Sequence, residues 1–306
     1  METKWLEDFV SLAETGSFSR SAQLRHVTQS AFSRRIQSLE AWAGVDLVDR
    51  SCYPTRLTPA GELMRTQALE ILGNVQSSRY LVRSHQGASH DVVEFAVPHT
   101  LAITFFPHWV MGLREQLKDF KSRLTALNVH DAALRLIEGG CDVLMAYHHP
   151  SQPLQLNPDR YEMLVLGRET LAPFSCPDAL GRPLFTLPGA PRQRIPFLNY
   201  APGAYLARMV DLILKNSSQT TLLDPVYETD MAEGLKAMAI EGHGVTFLPL
   251  GSVQRDLRSG RLVEAAPENL YRLTMEIRIY REHGTSSKPI KPAVQELWSF
   301  LSKSSK

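Results

Sequence analysis

One short stretch decides how the first part of this chain folds: Val27-Thr28-Gln29-Ser30-Ala31-Phe32-Ser33-Arg34-Arg35-Ile36-Gln37-Ser38-Leu39-Glu40. At 3.6 residues per turn, its apolar side chains share one side of a helix. The opposite side carries hydroxyl, amide and guanidinium groups, with no carboxylate before Glu40. Such a face suits the DNA major groove, where Arg and Gln read base edges and Ser reaches bases or phosphates. An ordinary amphipathic helix with a solvated basic face has the same periodicity, so the neighbouring residues must decide.

The composition is that of a globular protein. The 306 residues allow about two or three domains. The formal net charge is only +1, so any affinity for DNA must come from a local patch. One acid-free run, 15–39, contains Arg20, Arg25, Arg34 and Arg35, and a second, 50–61, contains Arg50 and Arg56.

The cysteines and the termini point to the cytoplasm. Cys52, Cys141 and Cys176 are odd in number, far apart and without metal-site spacing, which is typical of a reducing compartment. The N-terminus lacks a signal-peptide pattern, and no apolar run reaches the ~18 residues of a membrane span. We therefore predict a cytoplasmic protein without a membrane partner.

The residues around the opening stretch predict a winged helix-turn-helix. A first helix covers Trp5 to Ala13, and a short second helix covers Arg20 to Leu24 after the capping hydroxyls at 17–19. Thr28 is the predicted N-cap of the third helix, which completes the helix-turn-helix pattern. Segments 46–48 and 56–58 predict the two arms of a wing, in which Arg50 and Arg56 are placed to touch phosphate.

A long helix follows the wing. Thr58-Pro59 is a strong start signal, and no further proline occurs before Ser84. A heptad-like seam predicts pairing with a second copy, although packing on its own chain is the alternative. The seam comprises Met64, Ala68, Ile71, Val75, Ser78 and Val82. The polar residues 84–90 that follow predict a hinge.

The remaining two-thirds of the chain predicts an α/β fold. Strands at 92–97, 124–129 and 141–146 alternate with helices, which favours a parallel sheet. Strand signals return at 161–166, 170–174, 197–200, 223–227, 244–249 and 273–280. Helices are predicted at 204–214, 231–240 and 294–301.

The N-terminal motifs resemble the signature of LysR-type transcriptional regulators over some sixty residues. They are Phe18-Ser19-Arg20-Ser21-Ala22-Gln23-Leu24, Val27 to Ile36, Leu39-Glu40, Gly44-Val45-Asp46-Leu47 and Leu57-Thr58-Pro59-Ala60-Gly61. The resemblance implies DNA contact from Thr28, Gln29, Ser30, Ser33, Arg34 and, on the wing, Arg56. We add Arg35, on the flank of the same face. Ser30 replaces the family's usual proline and the wing lacks part of its basic residues, so the target sequence stays open.

The family resemblance also implies a two-lobed effector domain like a periplasmic binding protein. It divides the chain into a winged helix-turn-helix (1–58), a linker helix with hinge (59–90) and an effector domain (91–306). Lobe I takes in about 91–160 and 268–306, and lobe II about 161–267. The implied cleft residues are His99, Thr100, His130, Tyr147, His148, Tyr200, Pro202, Gly203, Gly244, Val245 and Thr246. Helix starts at strand ends suit anions, and the histidines add charge or sense pH unless they are ordinary surface or core residues.

Further stretches resemble the hypochlorite-responsive subgroup of this family: 2–6, 197–200 and 258–263. That subgroup implies methionine oxidation as the trigger, since sulfoxide formation makes an apolar side chain polar. Met231 is the position carried over, and Met209 lies one turn from the subgroup position held here by Leu206. Core packing is the alternative for either methionine.

No catalytic, metal or cofactor motif is found in the sequence. We therefore predict a DNA-binding regulator, not an enzyme, that binds double-stranded promoter DNA and forms a homodimer or homotetramer. Its cleft is expected to sense a small molecule or an oxidant. The alternative is a solute-binding or enzymatic α/β protein with a helical appendage. The helix-turn-helix without acidic residues argues against this alternative. The effector, the target genes and the sign of regulation stay open.

Overall fold

The computed structural model describes residues 1–51, 54–84, 91–190, 192–217, 219, 221–267, 270–284 and 289–304, without the side chains of 74, 76–84 and 304. The chain forms two compact units, one N-terminal and one C-terminal. Each has its own hydrophobic core, so each is described by itself.

The N-terminal unit is a helix-turn-helix with a two-stranded wing. Its elements are α1 (Thr3–Thr15), α2 (Phe18–Leu24), α3 (Gln29–Ala43), β1 (Val48–Asp49), β2 (Arg56–Leu57) and α4 (Pro59–Ser84). Phe9 and Phe32 are fully buried in the core, and the ring edge of Phe18 packs on Phe32 at 6.0 Å between centroids. The wing strands pair antiparallel, and Asp49 lies opposite Arg56. The wing arms are therefore confirmed, while Cys52 and Tyr53 lie outside the described residues.

Side-chain caps define where the helices begin. The Ser17 hydroxyl accepts from the Arg20 N–H at the start of α2, and the Thr28 Oγ1 accepts from the Ala31 N–H at 3.3 Å. At α4 the Thr58 Oγ1 accepts from the Gly61 N–H at 3.0 Å. These caps satisfy N–H groups that have no partner inside a helix, and they confirm the predicted helix starts at Thr28 and Thr58.

The first half of the predicted seam on α4 packs on its own chain. Ala68 is fully buried, and Met64 and Ile71 pack against the core of their own N-terminal unit. The three shorter helices leave an apolar surface that needs a fourth helix to cover it, and this half of the seam does so. Pairing of α4 with a second copy stays a prediction. Val75 is exposed, whereas the side chains of Ser78 and Val82 and the predicted hinge at 85–90 lie outside the described residues.

The C-terminal unit is α/β. Its elements in chain order are β3 (Val92–Pro98), α5 (His99–Thr104), α6 (Phe106–Gln116), β4 (Lys121–Leu127), α7 (Val129–Ile137), β5 (Val143–His148), β6 (Tyr161–Ser175), β7 (Ile195–Tyr200), α8 (Tyr205–Asn216), β8 (Leu223–Thr229), α9 (Ala232–Ile240), β9 (Thr246–Pro249), α10 (Leu250–Arg258), β10 (Val263–Glu264), β11 (Leu273–Glu282) and α11 (Pro292–Ser304). The helix predicted between the first two strands of this unit is divided into α5 and α6, whereas α10 and β10 have no counterpart among the sequence predictions.

Two sheets organise this unit. The large sheet has the order β10-β6-β11-β5-β3-β4, with β9 on β6, and the small sheet pairs β7 with β8. The strands β3, β4 and β5 are parallel, as predicted, but β11 runs antiparallel to both β5 and β6. The large sheet is therefore mixed.

The strand β6 connects the two halves of this unit, of which one contains β3, β4, β5 and β11 and the other contains β7, β8 and β9. It runs without interruption where the sequence predicted two separate strands. Its first part pairs with β11 from Tyr161 to Leu171, and its end pairs with β9. The predicted lobe boundary at 161 therefore assigns all of β6 to lobe II, although its first part pairs with β11, which was assigned to lobe I. The Val245 backbone bridges to Phe197, which links β9 to the small sheet.

Candidate nucleic-acid interface and effector cleft

The outer face of α3 is polar and accessible. Gln29, Ser30, Arg34 and Gln37 are exposed, and Ser33 is half-buried. Thr28 is exposed at the start of the helix, where its hydroxyl lies 3.2 Å from the Ser30 Oγ. On the wing, Arg56 is exposed as well. The predicted DNA-contacting side chains apart from Arg35 thus lie on accessible surface of one unit.

The structure differs from the prediction for Arg35. Its Nη1 donates to the Oδ2 of Asp8 at 3.0 Å, and Asp8 is completely buried in α1. The Nε of Arg25 donates to the other Asp8 oxygen at 2.9 Å, and Arg25 also pairs with Glu7. A buried carboxylate is stable only with partners, so the guanidinium of Arg35 is engaged inside the unit.

A second buried carboxylate fixes the wing. The Oε1 of Glu40 accepts from the backbone N–H groups of Leu47 and Val48 at 3.0 and 3.1 Å. Its Oε2 pairs with the Nη2 of Arg50 at 2.6 Å, and the Arg50 guanidinium lies over the ring of Phe18. Arg50, predicted to touch phosphate, instead ties the wing to the end of α3.

In the C-terminal unit, two buried tyrosines end strands of different sheets. Tyr147 lies near the end of β5 and Tyr200 at the end of β7, each 1% exposed. Burial raises the pKa of both phenols, that of Tyr147 well above its usual value. Tyr200 Oη donates to the carbonyl of Phe247 at 3.0 Å. Tyr147 Oη lies near Thr104 and in electrostatic range of Glu169 and Tyr200, but makes no hydrogen bond of normal geometry to any described residue.

Two further predicted cleft residues have buried polar atoms without a partner in the described structure. These atoms are the Oγ1 of Thr246, which is fully buried, and the Nδ1 of half-buried His148. Burial lowers the pKa of His148, and the Arg278 guanidinium lowers it further, which favours the neutral imidazole. His148 is therefore poorly suited to supply the positive charge that the sequence predicted.

The remaining predicted cleft positions vary in accessibility. Thr100 is buried and His99 half-buried in the first turn of α5, whereas His130 is exposed at the start of α7. Pro202 and Gly203 are exposed in the turn after β7, where Gly203 has φ +89°. This left-handed backbone conformation favours glycine, so the turn itself explains Gly203.

Gly244 has a packing role that the sequence prediction missed. It is buried, and a Cβ at this position would lie 2.6 Å from the carbonyl oxygen of Pro196. The adjacent Val245 N–H donates to the same oxygen at 2.9 Å. Gly244 therefore allows two backbone segments to approach closely, which explains the glycine without an effector.

Sequence reasoning missed two carboxylates near the tyrosines. The Oε1 of Glu169 accepts from Thr170 N–H and, at the start of α10, from Gly251 N–H at 3.2 Å. Burial raises the pKa of Glu169. Glu233, in electrostatic range of Tyr200, pairs through Oε2 with Lys236, while its Oε1 is buried without a described partner. Neither carboxylate occurs in a recognisable motif, and α10 was not predicted.

The two candidate methionines differ in access to solvent. Met231 is 43% exposed just before α9, whereas Met209 is fully buried in α8. Oxidation follows exposure, so Met209 is protected in this conformation. Burial raises the pKa of the Cys141 thiol to about 12, which keeps it in the unreactive thiol form.

Comparison with known proteins identifies both units. Residues 3–62 match the family described as bacterial regulatory helix-turn-helix protein, lysR family. Residues 86–306 match the LysR substrate binding domain. The chain belongs to the LysR family. The prediction of a DNA-binding regulator rather than an enzyme is confirmed, because the members of this family are transcription regulators.

Relatives of this LysR-family regulator match along its whole length. The HTH-type transcriptional regulator YjiE of Escherichia coli is 28% identical over 98% of this chain and 94% of its own. The structure of Vibrio fischeri DarR in complex with DNA is 31% identical, with a TM-score of 0.60 and 98% coverage of both chains. The full-length structure of HypT from Salmonella typhimurium, a hypochlorite-specific LysR-type regulator, is 27% identical, with a TM-score of 0.59, covering 100% of this chain and 98% of that one.

These matches confirm the predicted architecture, a helix-turn-helix followed by an α/β effector domain like a periplasmic binding protein. The predicted partners are those of the family: promoter DNA, further copies of the chain, and a small effector or oxidant. Within the described ranges, no helix is long and apolar enough to cross a membrane.

Proposed function

We propose that this LysR-family regulator reads promoter DNA in the cytoplasm with the exposed face of α3, while the wing touches the DNA backbone. The contacts assigned to base edges or phosphates are Thr28, Gln29, Ser30, Ser33, Arg34 and, on the wing, Arg56. The observation that carries the proposal is the accessible, carboxylate-free face of α3, on which Gln29 and Arg34 are exposed. Arg and Gln are the side chains best suited to bidentate base contacts in the major groove.

Arg34→Ala tests this face. Loss of one guanidinium is expected to weaken binding to a promoter fragment by about 1–3 kcal/mol, which is a loss of affinity of about 5-fold to 150-fold. The matched control is Arg114→Ala, which removes an exposed arginine from α6 in the other unit. Binding is measured by gel shift over a range of salt concentrations. Equal affinities for wild type and Arg34→Ala would contradict the proposal.

We also propose that a small polar effector binds between the two halves of the C-terminal unit. The support is the group of buried polar atoms without described partners on Tyr147, His148 and Thr246. Buried polar groups are normally hydrogen-bonded, and an exception indicates a missing water or ligand. Tyr200, His99 and Thr100 complete the proposed lining. Effector binding would shift the arrangement of lobes or subunits, and with it the spacing of the DNA-binding heads and the bending of the promoter.

Tyr147→Phe is expected to raise the stability of the protein, whereas most substitutions in a buried core lower it. Removing a buried hydroxyl that makes no normal hydrogen bond to a described residue is expected to stabilise the effector-free protein by up to about 1 kcal/mol. Tyr200→Phe is the matched control, because its hydroxyl donates to the Phe247 carbonyl and its loss should cost about 1 kcal/mol. Thermal unfolding of both variants is the measurement. A loss of stability in Tyr147→Phe equal to that of the control would remove the support for the cleft.

An oxidant is the second candidate effector, favoured by the exposure of Met231 and by the similarity to HypT. Hypochlorous acid transfers its oxygen to the thioether, giving a sulfoxide, chloride and a proton. We expect hypochlorite to change the promoter affinity of the wild type and to leave that of Met231→Ile unchanged. Met111→Ile is the control, because Met111 is also exposed, at 58%. A full response in Met231→Ile would rule out Met231 as the sensor.

A further inference from the structure

The N-terminal unit contains a charged group that the proposed DNA contacts do not use, the carboxylate of Asp8. Asp8 lies on α1 without exposed surface. Its two oxygens accept from Arg25 at 2.9 Å and from Arg35 at 3.0 Å. Arg25 follows directly after α2, and Arg35 lies within α3. One buried carboxylate therefore joins α1 to both helices of the helix-turn-helix.

Asp8 also changes what these arginines are free to do. The acid-free run at 15–39 contains four arginines, of which Arg20 and Arg34 are exposed. The side chains of Arg25 and Arg35 are only 32% and 27% exposed, because both are directed to Asp8. A guanidinium released from a buried partner would bind any phosphate within reach. Phosphate contacts strengthen binding to every sequence and specify none.

We infer that Asp8 is a specificity-determining positioning residue that holds α3 in place and keeps two arginines from the DNA backbone. The inference rests on the proposed DNA-binding face. Without the Asp8 carboxylate, α3 loses a fixed orientation and with it the alignment of Gln29 and Arg34 to base edges. At the same time, Arg25 and Arg35 gain access to phosphates. Affinity for the specific site falls while affinity for unrelated DNA rises.

The experiment compares the full-length protein with Asp8→Asn on two DNA duplexes. One duplex is the site that wild type selects from a randomised library, and the other has the same composition in scrambled order. We expect the ratio of the two affinities to fall about tenfold, equivalent to the loss of one base contact. Binding of the scrambled duplex should become tighter, and its salt dependence steeper by about one to two phosphate contacts.

Glu7→Gln is the matched control for charge. It removes the same charge from the neighbouring residue, but Glu7 is 38% exposed and, among the described residues, forms an ion pair with Arg25 alone. This variant is expected to change both affinities alike and to leave their ratio unchanged.

Arg35→Gln tests the same ion pair from the other side. This variant breaks the ion pair with Asp8 and removes a positive charge. If Asp8 positions α3 through Arg35, the ratio of specific to scrambled affinity should fall. A direct phosphate contact by Arg35 predicts equal losses on both duplexes and an unchanged ratio.

An unchanged ratio in Asp8→Asn, with a normal circular dichroism spectrum, would overturn the inference. If Asp8→Asn does not fold, Arg35→Gln and Asp8→Glu decide instead. Asp8→Glu keeps the carboxylate, so its ratio of the two affinities should stay close to that of wild type. If wild type selects no sequence at all, the proposed DNA-binding function fails, and that result is distinct from failure of the role of Asp8.

Discussion

Replacement of Glu40 by alanine is expected to lower the free energy of unfolding of the N-terminal unit by about 3–5 kcal/mol. Glu40 is 7% exposed and accepts from the buried N–H groups of Leu47 and Val48. Alanine leaves both donors without an acceptor, at about 1–3 kcal/mol each. Arg50 also loses its partner, but it is 41% exposed and regains water. The wing should therefore detach from the end of α3.

Amide hydrogen exchange measures this effect, because it resolves protection along the chain. Protection within residues 1–84 should fall in Glu40→Ala, while protection in the C-terminal unit serves as the internal reference. Glu14→Ala is the control, since Glu14 is exposed and its removal should change stability by about 0.5 kcal/mol or less. Glu40→Gln keeps an acceptor oxygen, so its amide protection should lie between that of Glu40→Ala and that of Glu14→Ala. Equal protection in Glu40→Ala and Glu14→Ala would contradict the assigned role.

Gly61→Ala is expected to destabilise the N-terminal unit by about 1–3 kcal/mol or more, although alanine is the better helix former. Gly61 lies in the first turn of α4, where a Cβ would come within 2.1 Å of the Leu47 carbonyl oxygen. That oxygen accepts from the Thr58 N–H at 3.0 Å, so it is held in place. The wing strand must move to admit one methyl group.

Gly112→Ala is the matched control for Gly61→Ala. Gly112 lies in α6, and a Cβ there would meet nothing within 4 Å. The same exchange is therefore expected to stabilise the helix by about 0.5–1 kcal/mol. Chemical denaturation of both variants should give shifts of opposite sign. A stabilising effect of Gly61→Ala would show that the Leu47 carbonyl moves aside at little cost, and would contradict the prediction.

Local signals predicted the element boundaries well. Thr28 and Thr58 cap the helices that the sequence assigned to them, since capping depends only on residues within one turn. The period of apolar residues placed Phe32 and Ile36 in the core, where both are fully buried. The spacing of the strands in the effector domain was correct to within a few residues, except that β6 continues through the predicted break and the short strand β10 was not predicted.

Pairing between distant residues could not be read from the sequence. Arg35 and Arg50 look like free cations in a basic run, yet Asp8 and Glu40 hold them. Asp8 does occur among the apolar residues Leu6, Phe9 and Leu12 of α1, which is a usable hint that it needs a cationic partner. The cleft lining shows the same limit, because Glu169 depends on helix α10 and Gly244 on strand β7, both far away in the chain.

The sequence by itself determined that the opening stretch forms a helix with an apolar inner face and a basic outer face, and that this helix belongs to a winged helix-turn-helix. Those properties follow from side-chain period and capping, which act over a few residues. Only the tertiary structure decided which arginines face solvent and that Met64, Ala68 and Ile71 of α4 pack on their own unit. Burial of a carboxylate and coverage of an apolar surface both depend on which helices meet, and no local pattern contains that information.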